Sequence, residues 1–393
     1  MIQVKDKIYY LGFRDWELRT FHGHELSTFN GSSYNSYLIK DEKTVLVDTV
    51  WSPHAEDFMR ILDNEVDISK IDYIVVNHAE PDHSGTLPRI LERNPDITVI
   101  CSVKGKDILR KTYHKDWNFR TVKTGDTISI GQYELMFVEM TMIHWPESMM
   151  TFVKGPNVLL SNDAFGQHYS GESIFADECD ECKVWAEAFK YFAAILAPFT
   201  ILIRKKIDEV IKLNLPIEMI APSHGVIWRK EPLRIIEKYA LWADDYNDGS
   251  VTIVYDTMYN ATKKMADAIA AGLVSKGVIC RLYNTSVADM SDVITELFRS
   301  RGIIVGSCTV NNGTLRSITA ILDEIRARKF KNKIGGAFGS FGWSGESPKI
   351  IFEELEKAGL KMIGEPISVQ YQPEPQELEA CVQYGKDFAD HLK

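Results

Sequence analysis

The sequence predicts an α/β and α+β chain in two parts. The first stacks two sheets face to face with helices outside; the second is a doubly wound parallel sheet. Three observations carry this. Residues 1–248 hold many short apolar and β-branched runs with helical patterns between them, as layered sheets do. From residue 249 on, five strand patterns alternate with five helical ones, the βα rhythm of a parallel sheet. Between the two lies Ala243-Asp244-Asp245-Tyr246-Asn247-Asp248-Gly249-Ser250, polar and turn-rich. The expected domains are therefore 1–248 and 249–393.

Composition is that of an ordinary globular protein, with 45% apolar and 25% charged residues. The formal charge of −10 lies wholly in the first 248 residues, which hold 28 basic and 38 acidic side chains; residues 249–393 hold 17 of each. No basic stripe is visible, so nucleic acid is not an expected partner. The N-terminus lacks a basic, then apolar leader. The longest apolar stretch, 193–203, contains Pro198 and is far short of a spanning length of about 20 residues. No membrane partner and a cytoplasmic location follow as expectations. Six scattered cysteines fit a reducing compartment. Cys179-Asp180-Glu181-Cys182 has no second pair to complete a four-thiolate site, and its acidic surroundings oppose a reactive thiolate.

In chain order, 7–12, 33–39 and 44–49 read as strands, the last two around an Asp-Glu-Lys turn, and 53–64 reads as a helix. The run Ile71-Asp72-Tyr73-Ile74-Val75-Val76 reads as a buried strand. It leads into Asn77-His78-Ala79-Glu80-Pro81-Asp82-His83-Ser84-Gly85, four metal-ligand types in six residues. Alternate residues 78, 80 and 82 of an extended segment point one way, about 6–7 Å apart, a spacing better suited to two metals than to one. A short helix is expected at 88–93, and strands at 98–102, 127–130, 133–138 and 157–161. A long helical stretch, 182–211, should break at Pro198. A strand at 216–222 and a helix at 233–244 complete the part. Ligand types recur at strand ends: His144, Asp163 and His224.

The order His-x-Glu-x-Asp-His, then His, Asp and His, resembles the metallo-β-lactamase fold, an αβ/βα sandwich. Hydrolases of that fold carry His-x-His-x-Asp-His and zinc. With Glu80 in the second position the donor set gains oxygen and suits iron. That variant resembles the flavodiiron proteins, or A-type flavoproteins, the rubredoxin:oxygen oxidoreductase and nitric oxide reductase family. The strings Ile143-His144-Trp145-Pro146, Ser161-Asn162-Asp163-Ala164-Phe165-Gly166-Gln167 and Ser223-His224-Gly225-Val226-Ile227 match as well. The resemblance implies one iron on His78, Glu80 and His144, a second on Asp82, His83 and His224, and Asp163 as the bridge. In some members the residue at the position of His83 is not a ligand. His22 and His24 resemble a segment lining the gas pocket.

In the second part, strands are expected at 251–256, 278–284, 302–307, 333–339 and 365–370, in the flavodoxin-like order 2-1-3-4-5. Helices are expected at 261–275, 290–299, 314–328, 345–358 and 374–391. Such sheets bind ligands at the C-terminal ends of their strands. Thr257-Met258-Tyr259-Asn260-Ala261-Thr262 resembles the flavodoxin phosphate loop, with Tyr259 and Asn260 where Thr and Gly are usual; Asn tolerates the left-handed backbone. Ser307-Cys308-Thr309-Val310-Asn311-Asn312-Gly313 and Ser340-Phe341-Gly342-Trp343-Ser344-Gly345 follow the third and fourth strands. Three loops in register imply FMN, with the last reproducing a family pattern over 337–346.

The resemblance implies an oxidoreductase. Electrons would pass from a donor, such as rubredoxin or another reduced carrier, through FMN to two non-haem irons that reduce O2 to water and/or NO to N2O. Head-to-tail pairing in the family implies a homodimer or homotetramer. The chain carries no rubredoxin or reductase extension, so the donor is expected to be separate. Two rivals stand beside this: a zinc hydrolase with an attached flavodoxin domain, and a non-catalytic electron carrier.

Overall fold

The β-branched runs of the first part pair into two sheets. The structure, a computed structural model, describes residues 1–23 and 25–392. A seven-stranded sheet runs in the order Ile2–Lys5, Ile8–Tyr10, Tyr37–Lys40, Thr44–Val47, Ile71–Val75, Thr98–Ser102, Phe119–Val122. It is antiparallel up to Thr44–Val47 and parallel beyond. A five-stranded sheet follows in the order Thr127–Ser129, Glu134–Glu139, Met149–Lys154, Val158–Asn162, Met219–Pro222. The two share one core: Tyr37, Val45, Val75 and Ile100 of the first sheet join Leu135, Phe137, Val153 and Leu160 of the second. Phe137 is fully buried, and truncating such a side chain to Ala costs about 3–5 kcal/mol.

Local sequence explains where the elements depart from expectation. The expected strand 33–39 is broken into Ser32–Tyr34 and Tyr37–Lys40. Residues 81–84 are a helical turn, Pro81–Ser84, not extended chain. Proline at its first turn is pre-set for helix. So Asp82 does not continue an alternation from His78 and Glu80.

The helix Val103–Tyr113 was not expected. Ser102 caps it by accepting from Gly105 N at 3.0 Å, and His114 ends it at φ +53°. Among its residues only Gly105 and Leu109 are buried, so it shows no apolar stripe. The strand Met149–Lys154 is buried on both faces and so shows no alternation to predict it.

Pro198 does not end the helical run Glu181–Lys212. A π turn at Phe192–Leu196 and a 3-10 turn at Ala197–Phe199 absorb it. By length and composition this run could cross a membrane, contrary to the expectation from 193–203. However, 56% of its most apolar window is buried in the protein, which is the mark of a core helix.

Contacts divide the chain into two compact units. The first holds Thr28–Phe192 and Ile201–Leu241 with the segment before Glu25. The second takes in the chain from Trp242 on, with Glu25–Ser27 and Ala193–Thr200. The second unit's sheet is parallel, in the order Cys280–Asn284, Val251–Tyr255, Gly302–Gly306, Ile334–Phe341, with Lys361–Met362 and Ile367–Gln370 both paired to the last. This is the expected 2-1-3-4-5 order, with its fifth strand in two pieces. The helices Ala261–Ser275 and Pro375–Ala389 meet where Gly272 and Gly385 leave no room for a Cβ; one at Gly272 would lie 2.1 Å from Val382 O.

Candidate functional site

The seven residues expected to hold metal all lie in the first unit, and they fall into two groups. His78, Glu80, His144 and Asp163 form one; Asp82, His83 and His224 form the other, each group with donor atoms within 4.8 Å of one another. Asp163 faces both. Its Oδ2 is 3.5 Å from His78 Nε2 and 3.3 Å from His144 Nε2; its Oδ1 is 2.9 Å from His83 Nε2 and 3.6 Å from His224 Nε2. Glu80 Oε2 is 3.0 Å from His78 Nε2 and 3.5 Å from His144 Nε2. Asp82 Oδ2 is 3.0 Å from His224 Nε2 and 3.3 Å from His83 Nε2. Donors about 2.1 Å from a shared ion stand about 3.0–3.4 Å apart at octahedral or tetrahedral angles, so these separations fit.

Both oxygens of Asp82, both nitrogens of His83 and Oδ1 of Asp163 are buried and make no hydrogen bond among the described residues. Leaving such groups unpaired is costly. Their atoms converge without hydrogen-bond alignment, as donors aimed at a common ion do. The set is rich in carboxylate and imidazole and contains no thiolate, a composition suited to iron.

The supporting bonds are equally specific. His78 Nδ1 bonds Glu147 Oε1 at 2.7 Å, and Ala79 N donates to the same oxygen at 3.0 Å. His224 Nδ1 donates to Ser33 O at 2.6 Å. Asp48, in the left-handed region at φ +55°, accepts from Asn77 N at 2.8 Å and from the Asn162 amide at 3.2 Å. It thereby ties together the ends of three strands. His22 Nε2 lies 3.0 Å from Glu80 Oε1, with its ring partly exposed. His24 lies outside the described residues.

Charges in the group hold one another. Burial pushes the Glu80 carboxyl up, but hydrogen bonds from His22 and His78 outweigh it and hold it below the usual carboxylate range. Burial likewise raises Asp163, and the charge of His83 with the hydrogen bond of His144 brings it well down. Burial pulls His83 down, yet the Asp82 and Asp163 carboxylates lift it to about 9. The hydrogen bond to Glu80 raises His22.

In the second unit, a cavity of about 430 Å³ opens at the strand ends. It is lined by Thr257, Met258, Tyr259, Ala261, Cys308, Thr309, Ser340, Phe341, Gly342, Trp343, Tyr371 and Gln372. Asn260 does adopt the left-handed conformation, at φ +64°, just before the helix Ala261–Ser275. Helix N-termini with free amides bind anions. Among the described residues Thr257 Oγ1 is buried there without a partner, which leaves its hydroxyl to donate to a phosphate.

Other expected residues shape the loops instead of lining the cavity. Thr262 Oγ1 bonds Ser340 Oγ at 2.9 Å, and Ser307 Oγ accepts from Leu315 N at 2.9 Å. Asn311 and Asn312, at φ +50° and +60°, make the tight turn that pairs Val310 with Gly313. Gly345 packs against the Phe341 ring, where a Cβ would come within 3.0 Å. Ser344 is not among the cavity's lining residues.

A family model described as ODP family beta lactamase matches residues 33–225, and one for flavodoxin matches 253–385. The anaerobic nitric oxide reductase flavorubredoxin of Klebsiella pneumoniae is 46% identical over 392 residues, 99% of this chain and 81% of that protein. Rubredoxin oxygen:oxidoreductase from Desulfovibrio gigas superposes with a TM-score of 0.96 at 34% identity, covering 99% of this chain and 98% of that one. The flavodiiron protein from Giardia intestinalis gives 0.95 at 32%, covering 100% and 96%. The chain belongs to the flavodiiron protein family.

Within this flavodiiron chain, some residues of the site carry no sequence signal. Glu147 and Asp48 stand at no ligand-like spacing. Tyr371 and Gln372 were findable: they follow the strand Ile367–Gln370, and the strand-end reasoning applied to the other three loops extends to them. His168 stands six residues beyond the strand Val158–Asn162, at no strand end. It is buried beside His224, its ring centroid 4.9 Å away, and its Nδ1 bonds Ser32 Oγ at 2.8 Å.

Proposed function

We propose that this flavodiiron oxidoreductase takes electrons from a rubredoxin-type donor into FMN and delivers them to a diiron site that reduces nitric oxide to nitrous oxide and/or dioxygen to water. The observation that carries the reading is Asp163, with one oxygen toward each of two donor groups. In this reading His78, Glu80, His144 and Asp163 hold one iron, and Asp82, His83, His224 and Asp163 the other. The loops at 257–262, 307–313 and 340–345 hold the flavin. When bound, the two irons supply the redox site for the gas and FMN supplies further electrons.

The chain's own residues do the rest. The bond from His22 fixes Glu80 so that Oε2 faces His78 and His144. His22 also keeps a proton at Nε2 on the partly exposed side of the site, where the reaction consumes protons. Phe21 and the buried His168 pack against each other and against the ring of His224, and Phe21 also packs against His22. The phosphate end of FMN would sit at Thr257 and the amides opening the helix Ala261–Ser275. Exposed Trp343 and Tyr371 flank the cavity where the ring would rest. By analogy with its family the active form is a homodimer or tetramer, which a forced monomer with impaired turnover would support.

The test is anaerobic turnover of the reduced, iron-loaded protein with O2 and NO in parallel, alongside metal analysis. Two irons per chain and consumption of either gas bear the reading out. Two zincs and no gas consumption, with hydrolysis of an ester or lactam, would return it to the hydrolases.

A further inference from the structure

The two groups of donors are backed differently. In the first, His78 presents Nε2 to the site, and its Nδ1 bonds the Glu147 carboxylate at 2.7 Å. In the second, His224 presents Nε2, and its Nδ1 meets only a neutral main-chain oxygen, Ser33 O, at 2.6 Å. His83 Nδ1 has no hydrogen-bond partner among the described residues.

Glu147 is itself locked. It is 3% exposed, its Oε1 also accepts from Ala79 N, and its main-chain oxygen accepts from Ser102 Oγ at 2.8 Å. It also sits three residues after His144 on the same loop. One side chain thus governs the ring of His78 directly and the loop of His144 through the chain. A carboxylate behind an imidazole fixes its tautomer and strengthens its other nitrogen as a donor. A peptide carbonyl does the first and little of the second.

On the diiron reading above, we propose that Glu147 is a positioning residue that makes the two metal positions unequal, so that the metal at His78, Glu80 and His144 is held more tightly and in a more oxidised state than the one at Asp82, His83 and His224.

The test is Glu147→Gln, which keeps size and an acceptor oxygen and removes the charge. Metal-free protein is reloaded with iron, and retention is followed against a chelator. One iron per chain should be held about 10–100-fold less tightly than in the unaltered protein, with the other unchanged. In a redox titration followed by Mössbauer spectroscopy, the iron that oxidises first in the unaltered protein should lose its lead. Both irons held as before, or both loosened equally, would overturn the proposal. Should the variant not fold, cobalt(II) titration of the unaltered metal-free protein decides. Two unequal steps support the inequality, and a single step with two equal affinities sinks it. A protein that takes up no pair of metals at all removes the diiron reading itself, a result distinct from either.

Discussion

Replacing Gly225 by Ala should unseat His224 and with it one metal. Gly225 has φ +74°, a conformation that costs an L-residue about 1–2 kcal/mol. A Cβ there would stand 1.9 Å from Gln167 Oε1 and 2.4 Å from Gln167 O. No rotamer relieves the second contact, because it is main chain. The first forces Gln167 off Val226 N, to which it is bonded at 2.6 Å, leaving a buried group unpaired at about 1–3 kcal/mol. The sum is about 2–5 kcal/mol. Any accommodating shift moves the neighbouring His224, whose Nε2 stands 3.0 Å from Asp82 Oδ2.

Urea unfolding followed by tryptophan fluorescence reports chiefly on the first unit, which holds six of the eight tryptophans. Iron analysis on the same sample counts the metal. A loss under about 1 kcal/mol with two irons retained would refute the steric argument and the placement of His224.

Three further outcomes are expected. Lys333 donates from a buried position to Tyr246 O and Phe298 O, and burial pushes it down to about 7. The unfolded chain keeps that proton up to about pH 10.4 and so binds more protons between the two values. The second unit should therefore gain stability as pH rises from about 7 to 10, by roughly 5 kcal/mol at most, with the penalty fully present below pH 7. Lys333→Met should flatten that slope in unfolding followed by FMN fluorescence, and an unchanged slope would count against the burial argument. Asn260→Gly should preserve flavin binding, while Asn260→Val should lower stability by about 1–2 kcal/mol and weaken flavin retention, measured by fluorescence titration. Stripping metal with a chelator should lower the first unit's unfolding free energy by about 4 kcal/mol for each of the two positions, about 8 kcal/mol in all, when free metal had stood a thousandfold above both dissociation constants, and should leave the FMN-monitored transition unmoved.

What could be read from the sequence follows from how many residues carry each signal. The second unit's central strands, Val251–Tyr255, Gly302–Gly306 and Ile334–Phe341, are apolar and buried on both faces and its helices amphipathic, so the βα alternation emerged, while the strand order came with the flavodoxin resemblance. The exception is the last strand, split where Gly364 takes φ +67° ahead of Pro366. His144, Asp163 and His224 were visible because each stands in the loop leaving an apolar strand, Asp163 directly and the other two within five residues. The turn Pro81–Ser84 was not, because four residues cannot display a helical period. The helix Val103–Tyr113 stayed hidden because only Gly105 and Leu109 of its residues are buried. Glu147 had no pattern at all, because its role depends on a partner 69 residues earlier in the chain.

Asp163 closes the strand Val158–Asn162 of one sheet, while His78 and His83 follow the strand Ile71–Val75 of the other. Each donor group therefore draws on both sheets. Sliding one layer past the other by even one residue would scatter the ligands of both positions together. Metal capture is then a gauge of correct assembly: a mispacked chain offers each metal only the donors of one layer, and a protein that has filled both positions has, by that fact, brought its two layers into register.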